Sequence, residues 1–146
     1  MKTTTALKIT ESDHKSIKTH IDSAPEVEVC GLIGGVWKPY AKIAVARMVV
    51  PVKNIDSHPA LRFTMEPQEL YNALLDFEKQ GCEVIGIYHS HPYGTTQPSA
   101  SDITEALYSD AVYLIGVPGG NLSAWRILRG EIRPVDIEII THVTEL

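Results

Sequence analysis

The chain has 146 residues, of which 44% are hydrophobic and 21% charged. That is the balance of a folded domain with a real core, not of a disordered, collagen-like or coiled-coil chain. Thirteen Lys and Arg against 18 Asp and Glu leave a net charge of -5, which argues against dependence on nucleic-acid phosphates.

No apolar run approaches the roughly 18 residues of a membrane span. The start, MKTTTALKITESDHK, carries no apolar stretch followed by a small-residue cleavage site, so no export signal is expected. Cys30 and Cys82 sit in apolar stretches and read as buried small residues, not as a disulfide framework. A cytoplasmic setting is expected, with neither membrane nor nucleic acid as a partner. With no repeat, linker or low-complexity tract, one domain over residues 1–146 is expected.

In chain order, Ala6 to Thr10 reads as a short strand. Ser12, with Ile17 and Ile21 behind it, reads as the cap of an amphipathic helix that stops before Pro25. Val27 to Trp37 is apolar and interrupted by Gly34-Gly35, as in a buried strand with a bend or close approach. Ile43 to Val50 alternates and is β-branched, which predicts a hairpin with that strand. The pattern lapses from Pro51 to Pro67, a length of loop that is usually functional or mobile. Pro67 opens a helix with Leu70, Ala73, Leu74 and Phe77 on one face, ended by Gly81. Glu83 to His89 is a strand and Ala100 to Ser109 a helix. Ala111 to Val117, Leu122 to Leu128 and Glu131 to Ile140 are strands joined by Gly-containing turns. The fold class expected is α+β: a mixed, largely antiparallel sheet with two or three helices packed on it.

The informative stretch is HSHPYGTTQPSASD, from His89 to Asp102. Two histidines two apart at a strand end project to one side, with Ser90 facing the other. Asp102 follows in the first turn of a helix. Two imidazoles and one carboxylate suit zinc and leave a fourth tetrahedral position for water, whose pKa the ion lowers toward about 7. Composition alone produces His-x-His-x10-Asp on the order of 0.01 times in such a chain. Plainer readings exist for each part. Ser99-Ala-Ser-Asp102 is also an N-terminal capping box, and a His-x-His pair is often just surface polarity. A carboxylate base is available in the Val27 strand, where spacing does not choose between Glu26 and Glu28.

Glu28-Val-Cys-Gly-Leu-Ile-Gly-Gly, His89-Ser-His-Pro and Ser99-x-x-Asp102 together resemble the JAMM motif of the MPN+ zinc metalloproteases, in order and in spacing. The resemblance extends over nearly the whole chain and is to stand-alone prokaryotic members. It implies the MPN/JAB fold, which is cytidine-deaminase-like, and one zinc ion (Zn2+) per chain held by His89, His91 and Asp102. It selects Glu28 as general base and proton donor, and gives Ser99 a part in stabilising the oxyanion. Zinc deaminases, which also pair a metal site with a Glu, need His-x-Glu and Pro-Cys-x-x-Cys; neither is present. A non-catalytic binding module on the same fold is a second alternative, and a DNA-linked role, which the acidic balance disfavours, a third. Cys30 shares a strand face with Glu28 if the strand is regular, but no adjacent base marks it as a nucleophile.

The implied substrate is a ubiquitin-like protein or a sulfur carrier (ThiS/MoaD-like) ending in Gly-Gly, cut after that tail at an isopeptide or peptide bond. The short Tyr93 to Pro98 loop leaves no room for the insertion of relatives that cleave ubiquitin chains. Such a tail is expected to add to the sheet as an extra strand. Arg62 and Phe63 in the Pro51 to Pro67 loop are candidates for gripping it; the plain alternative is that Phe63 plugs the core. Exposed apolar surface around this loop or on the last strand would permit a homodimer.

Overall fold

The computed structural model describes residues 2–106 and 108–142. Thr10 ends strand β1 (Ala6–Thr10) and opens helix α1 (Glu11–Ser23). Its backbone is extended and its hydroxyl accepts the Asp13 N–H at 3.1 Å, which makes it the N-cap. The cap expected at Ser12 therefore moves to Thr10: the chain turns helical directly after the strand, and Ser12 falls inside the first turn. Ile17 and Ile21, one turn apart, are buried as their spacing requires.

The predicted hairpin is present. β2 (Cys30–Lys38) and β3 (Ile43–Val52) pair antiparallel and are joined through a 3-10 turn at Pro39–Ala41. β2 starts three residues later than its apolar run suggests, because residues 28–29 spend their backbone groups elsewhere. The Glu28 N–H donates to the Pro59 carbonyl, the Glu28 carbonyl accepts from the Asn54 side chain, and the Val29 N–H goes to the Ser90 hydroxyl. Gly34-Gly35 is a close approach. The β2–β3 register shifts between the two glycines. A Cβ at Gly34 would stand 2.7 Å from the Phe77 ring, and one at Gly35 would overlap the Val45 carbonyl oxygen.

Helix α2 (Pro67–Lys79) is capped by Glu66, whose carboxylate accepts the Glu69 N–H at 2.6 Å. Strand β4 (Glu83–Ser90) follows and runs antiparallel to β2. After the 91–99 loop comes α3 (Ala100–Thr104), half the length expected. The Tyr113 hydroxyl accepts the Tyr108 N–H at 3.1 Å, which draws the chain off the helical path before the predicted end at Ser109; Leu107, within that prediction, lies outside the described residues. β5 (Val112–Gly116) then pairs parallel with β4, and β6 (Leu122–Leu128) and β7 (Glu131–Ile140) complete the antiparallel run.

The strands are ordered β1-β3-β2-β4-β5-β6-β7, and β1 returns to β7, so the sheet closes into a barrel. The class is α+β with most pairings antiparallel, as expected; the closure is an addition. It comes from β1, which runs parallel to both β3 and β7 and is buried on both faces. Two apolar clusters fill the fold. Ile17 and Ile21 of α1 pack with Leu7, Ile9, Ile33 and Leu114, whereas Ala73 and Phe77 of α2 pack with Leu32, Ile87 and Tyr113. Neighbouring residues Leu32 and Ile33 serve different clusters, which is why β2 reads as a continuous apolar run and not as an alternation. No helix among the described residues is long and apolar enough to cross a membrane.

Gly35→Ala tests the close approach. Because the obstacle is backbone, relief requires β2 and β3 to separate, and the unfolding free energy in urea should fall by about 2 kcal/mol or more. A loss below about 1 kcal/mol would show that the pairing yields easily.

Candidate metal centre

β4 carries His89 in full ladder register, paired with Cys30 on one side and Ile115 on the other. The strand formally ends at Ser90, but the His91 N–H still donates to the Gly116 carbonyl at 2.9 Å. The pleat therefore holds through both histidines, and they point the same way. Ser90 points the other way, as predicted, and its hydroxyl accepts the Val29 N–H at 2.9 Å.

His89 Nε2, His91 Nε2 and Asp102 Oδ2 converge. The two nitrogens are 3.1 Å apart and lie 3.1 and 3.0 Å from the carboxylate oxygen. Neighbouring corners of a tetrahedral zinc site with bonds near 2.0 Å are about 3.3 Å apart, so the triangle has the right size. The chemistry of the donors agrees. His91 Nδ1 lies 2.6 Å from the Thr95 carbonyl oxygen; a carbonyl only accepts, so Nδ1 bears the hydrogen and the neutral ring turns its Nε2 lone pair inward. His91 Nε2 and the carboxylate oxygen, two acceptors at 3.0 Å with His89 Nε2 beside them, need a proton or a cation between them. Among the described residues, these three form the group able to hold a metal ion.

Asp102 is fixed by its helix. The Ser99 N–H donates to Asp102 Oδ2 at 2.9 Å, and the Asp102 N–H donates to Ser99 Oγ at 3.1 Å. The capping box of Ser99-x-x-Asp102 is formed, and it is compatible with the ligand reading. Ser99 Oγ is the acceptor in the cap and lies 3.2 Å from Ser101 Oγ, so its own proton can go to Ser101 or turn outward. Burial alone would raise the Asp102 carboxyl, yet the hydrogen bonds from His89 and His91 hold it well below the usual carboxylate range. Burial lowers the pKa of His89; in His91 burial is outweighed by the hydrogen bonds to Asp102 and Thr95, and the pKa is raised. A metal bound here would displace that shared proton.

Glu28 and Glu26 are separated by environment. Glu26 is exposed, whereas Glu28 is 6% exposed, and its Oε1 has no hydrogen-bond partner. Burial pushes the Glu28 carboxyl up to about 7; the charge of His91 works against this, and those of Asp102 and Asp56 add to it. Cys30 is held as the thiol: burial, with the charges of Glu28 and Glu69, pushes it up to about 12, and its Sγ donates to the Val52 carbonyl.

The irregular stretch after β3 is tied into a frame by residues that sequence reasoning passed over. Asn54 Oδ1 accepts the Asp56 and Thr64 N–H groups, while its amide donates to the Glu28 and Arg62 carbonyls. The His58 N–H, the Thr64 hydroxyl and Arg62 then hold the Asp56 carboxyl down to about 2. The Asn-x-Asp spacing, an Asx-turn pattern, was the available signal. The frame presents Phe63 to His89, with ring centroids 4.8 Å apart and planes at 34°. His89 Nδ1 has no hydrogen-bond partner, so packing orients this ring. Phe63 also lines an apolar groove of about 640 Å³, with Met65, Leu70 and Tyr113, that reaches His89 and Asp102. Arg62, paired with Asp56, does not line it.

Residues 10–128 match the family model described as prokaryotic homologs of the JAB domain. The chain is 32% identical over 115 residues to a desampylase of Haloferax volcanii, covering 79% of this chain and 80% of that one. It is 32% identical over 85 residues to a probable TtuB-protein conjugate cleaving protease of Thermus thermophilus, covering 58% and 55% respectively. A solution structure of a Desulfitobacterium hafniense protein superposes with a TM-score of 0.81 at 27% identity, over 93% of this chain and 94% of that one.

The buried carboxyl makes a pH prediction for the metal-free protein. Folded Glu28 holds its proton up to about 7 and the unfolded chain releases it near 4.5, so its contribution to stability is present below 4.5 and is lost as pH rises through about 7. In chelator, Glu28→Gln should gain on the wild type in urea midpoint across that window. A difference that is flat with pH would mean that the carboxyl is solvated.

Proposed function

The chain belongs to the prokaryotic homologues of the JAB domain, and on that premise we propose that it is a zinc-dependent isopeptidase in which the entire chain forms one catalytic domain working in the cytoplasm. His89, His91 and Asp102 are the metal ligands in this reading. The observation that carries it is the meeting of His89 Nε2, His91 Nε2 and Asp102 Oδ2 within 3.1 Å, within electrostatic reach of Glu28, whose buried Oε1 has no hydrogen-bond partner. An ion held there supplies Lewis acidity, polarising a scissile carbonyl and making water acidic near neutral pH.

Glu28 is the general base. A carboxyl poised near 7 takes a proton from water and returns it to the leaving amine with little free-energy mismatch in either direction. The backbone on both sides of Glu28 is pinned by Ser90, Asn54 and Pro59, so the carboxylate is held in place before substrate arrives. Ser99, whose capping role uses its hydroxyl only as an acceptor, turns its proton from Ser101 to the oxyanion. No covalent nucleophile is required.

The proposed substrate is a conjugate of a ubiquitin-like or sulfur-carrier protein, cut after its C-terminal Gly-Gly. Support comes from the relatives, one a desampylase and one a conjugate-cleaving protease, and from the apolar groove that leads to His89 and Asp102. Phe63, between groove and ligand, narrows the approach, which favours residues without side chains at the scissile bond.

Purified protein should hold about one zinc per chain, and His89→Ala and Asp102→Ala should lose it; full retention by elemental analysis would remove the ligand assignment. Glu28→Gln should keep zinc and lose turnover by about 100- to 10,000-fold, with Ser99→Ala losing roughly 10- to 1,000-fold. Near-normal turnover in Glu28→Gln, or Glu26→Gln proving the damaging change, would remove Glu28 as the base. A wild type that holds no zinc and cuts no conjugate would leave a non-catalytic binding module as the better reading. For the substrate, carrier fusions ending Gly-Gly-X should be cut and matched Ala-Ala-X fusions should not. Equal cutting of both, followed by mass, would sink the Gly-Gly requirement while sparing the metallopeptidase.

A further inference from the structure

β6 reaches across to the loop that orients His91. Ser123 and Trp125 are two apart on β6 and share a face. Both engage Thr96. The Trp125 indole N–H donates to the Thr96 carbonyl at 2.7 Å, and the Thr96 and Ser123 hydroxyls lie 2.7 Å apart. One residue earlier, the Thr95 carbonyl accepts the His91 Nδ1–H at 2.6 Å.

The loop from Pro92 to Pro98 has no regular structure and contains Gly94, so a helix or ladder does not hold the Thr95 carbonyl in place. The link is covalent geometry. The Thr95 carbonyl and the Thr96 nitrogen belong to one planar peptide unit. Fixing Thr96 at its carbonyl and at its hydroxyl leaves that plane little freedom to swing. Trp125 has a single side-chain donor, and it is used here. His89 has no equivalent support, because its Nδ1 lacks a partner. On the Nδ1 side, away from Asp102, the hydrogen-bonded orientation of the histidine pair among the described residues therefore runs through Thr95.

We propose that Ser123 and Trp125 are positioning residues of the metal centre: through Thr96 they hold the Thr95 carbonyl, which keeps His91 in the Nδ1–H tautomer with Nε2 turned inward, and so set how slowly the ion leaves. This rests on the reading of His91 as a metal ligand. Partners that orient a ligating imidazole typically change metal affinity 10- to 100-fold when removed, and the clamp acts one bond further out.

The test is the rate at which excess chelator strips zinc from the loaded protein, followed alongside the urea midpoint of the metal-free form. Trp125→Phe keeps the ring and drops the N–H; Ser123→Ala drops only a hydroxyl. Each should speed zinc loss about tenfold, and the pair together up to about 100-fold. Thr96→Ser, which keeps the hydroxyl, should match the wild type, whereas Thr96→Val should resemble Ser123→Ala. A merely structural role would lower the metal-free midpoint and leave the stripping rate unchanged. Rates within about twofold of wild type in Ser123→Ala and Trp125→Phe, with His91→Ala losing its zinc, would overturn the clamp and leave the ligand assignment intact. Full zinc retention in His91→Ala would overturn both.

Discussion

One carboxylate oxygen joins the parts of the chain that matter. Asp102 Oδ2 meets His89 Nε2, His91 Nε2 and the Ser99 N–H, all within 3.1 Å. The first two partners come from the end of a central strand and the third from the start of a five-residue helix. A helix that short has little stability of its own. Its cap and the histidine pair hold it, so the local fold and the site are one set of interactions. This also explains why α3 stops at Thr104 without harm: one turn is all that presenting Asp102 requires.

Glu28 is governed by the opposite principle. Its carboxylate oxygen Oε1 is left without a partner, although a buried charge without one is costly. The surrounding backbone is instead fully engaged, by Ser90 on one side and by Asn54 and Pro59 on the other. Rigid attachment with a poorly solvated head group raises the affinity for a proton without letting the side chain find relief by moving. Ser90 connects the two halves: it sits between the histidines in sequence, faces away from them, and fastens the strand segment that carries Glu28. The middle residue of His-Ser-His thus works on the other side of the sheet from its neighbours.

The site was more legible in the sequence than the topology was. His89, His91, Asp102 and Ser99 lie within one 14-residue stretch, where strand period and capping chemistry act locally and spacing translates directly into geometry. The choice of Glu28 over Glu26 required the family resemblance, because burial depends on Pro59 and Asn54, which are distant in sequence. The hairpin of β2 and β3 was visible in alternation and turn signals. Barrel closure was not, since the five residues of β1 look alike whether a strand has one neighbour or two. Thr95 and Trp125 were beyond reach for the same reason: a backbone carbonyl has no sequence signature, and an indole N–H names no partner.

The closed order of strands changes how an extended tail can approach. Strand addition needs an unpaired edge, and β4, which carries His89, has β2 and β5 along its length. β3 does offer free backbone, since β1 pairs with it only from Ile43 to Val45. A tail added there would lie three strand spacings from β4, roughly 14 Å at about 4.8 Å each. Its scissile bond would be out of reach of the histidines. The apolar groove bordered by Phe63, Met65 and Leu70 runs instead to His89 and Asp102. An extended tail of the proposed substrate that followed it would arrive end-on over the barrel, between the Asn54 frame and α3. Main-chain partners for it would then have to come from those loops, and a frame already fixed by its own hydrogen bonds to Asn54 and Asp56 would offer them without reordering.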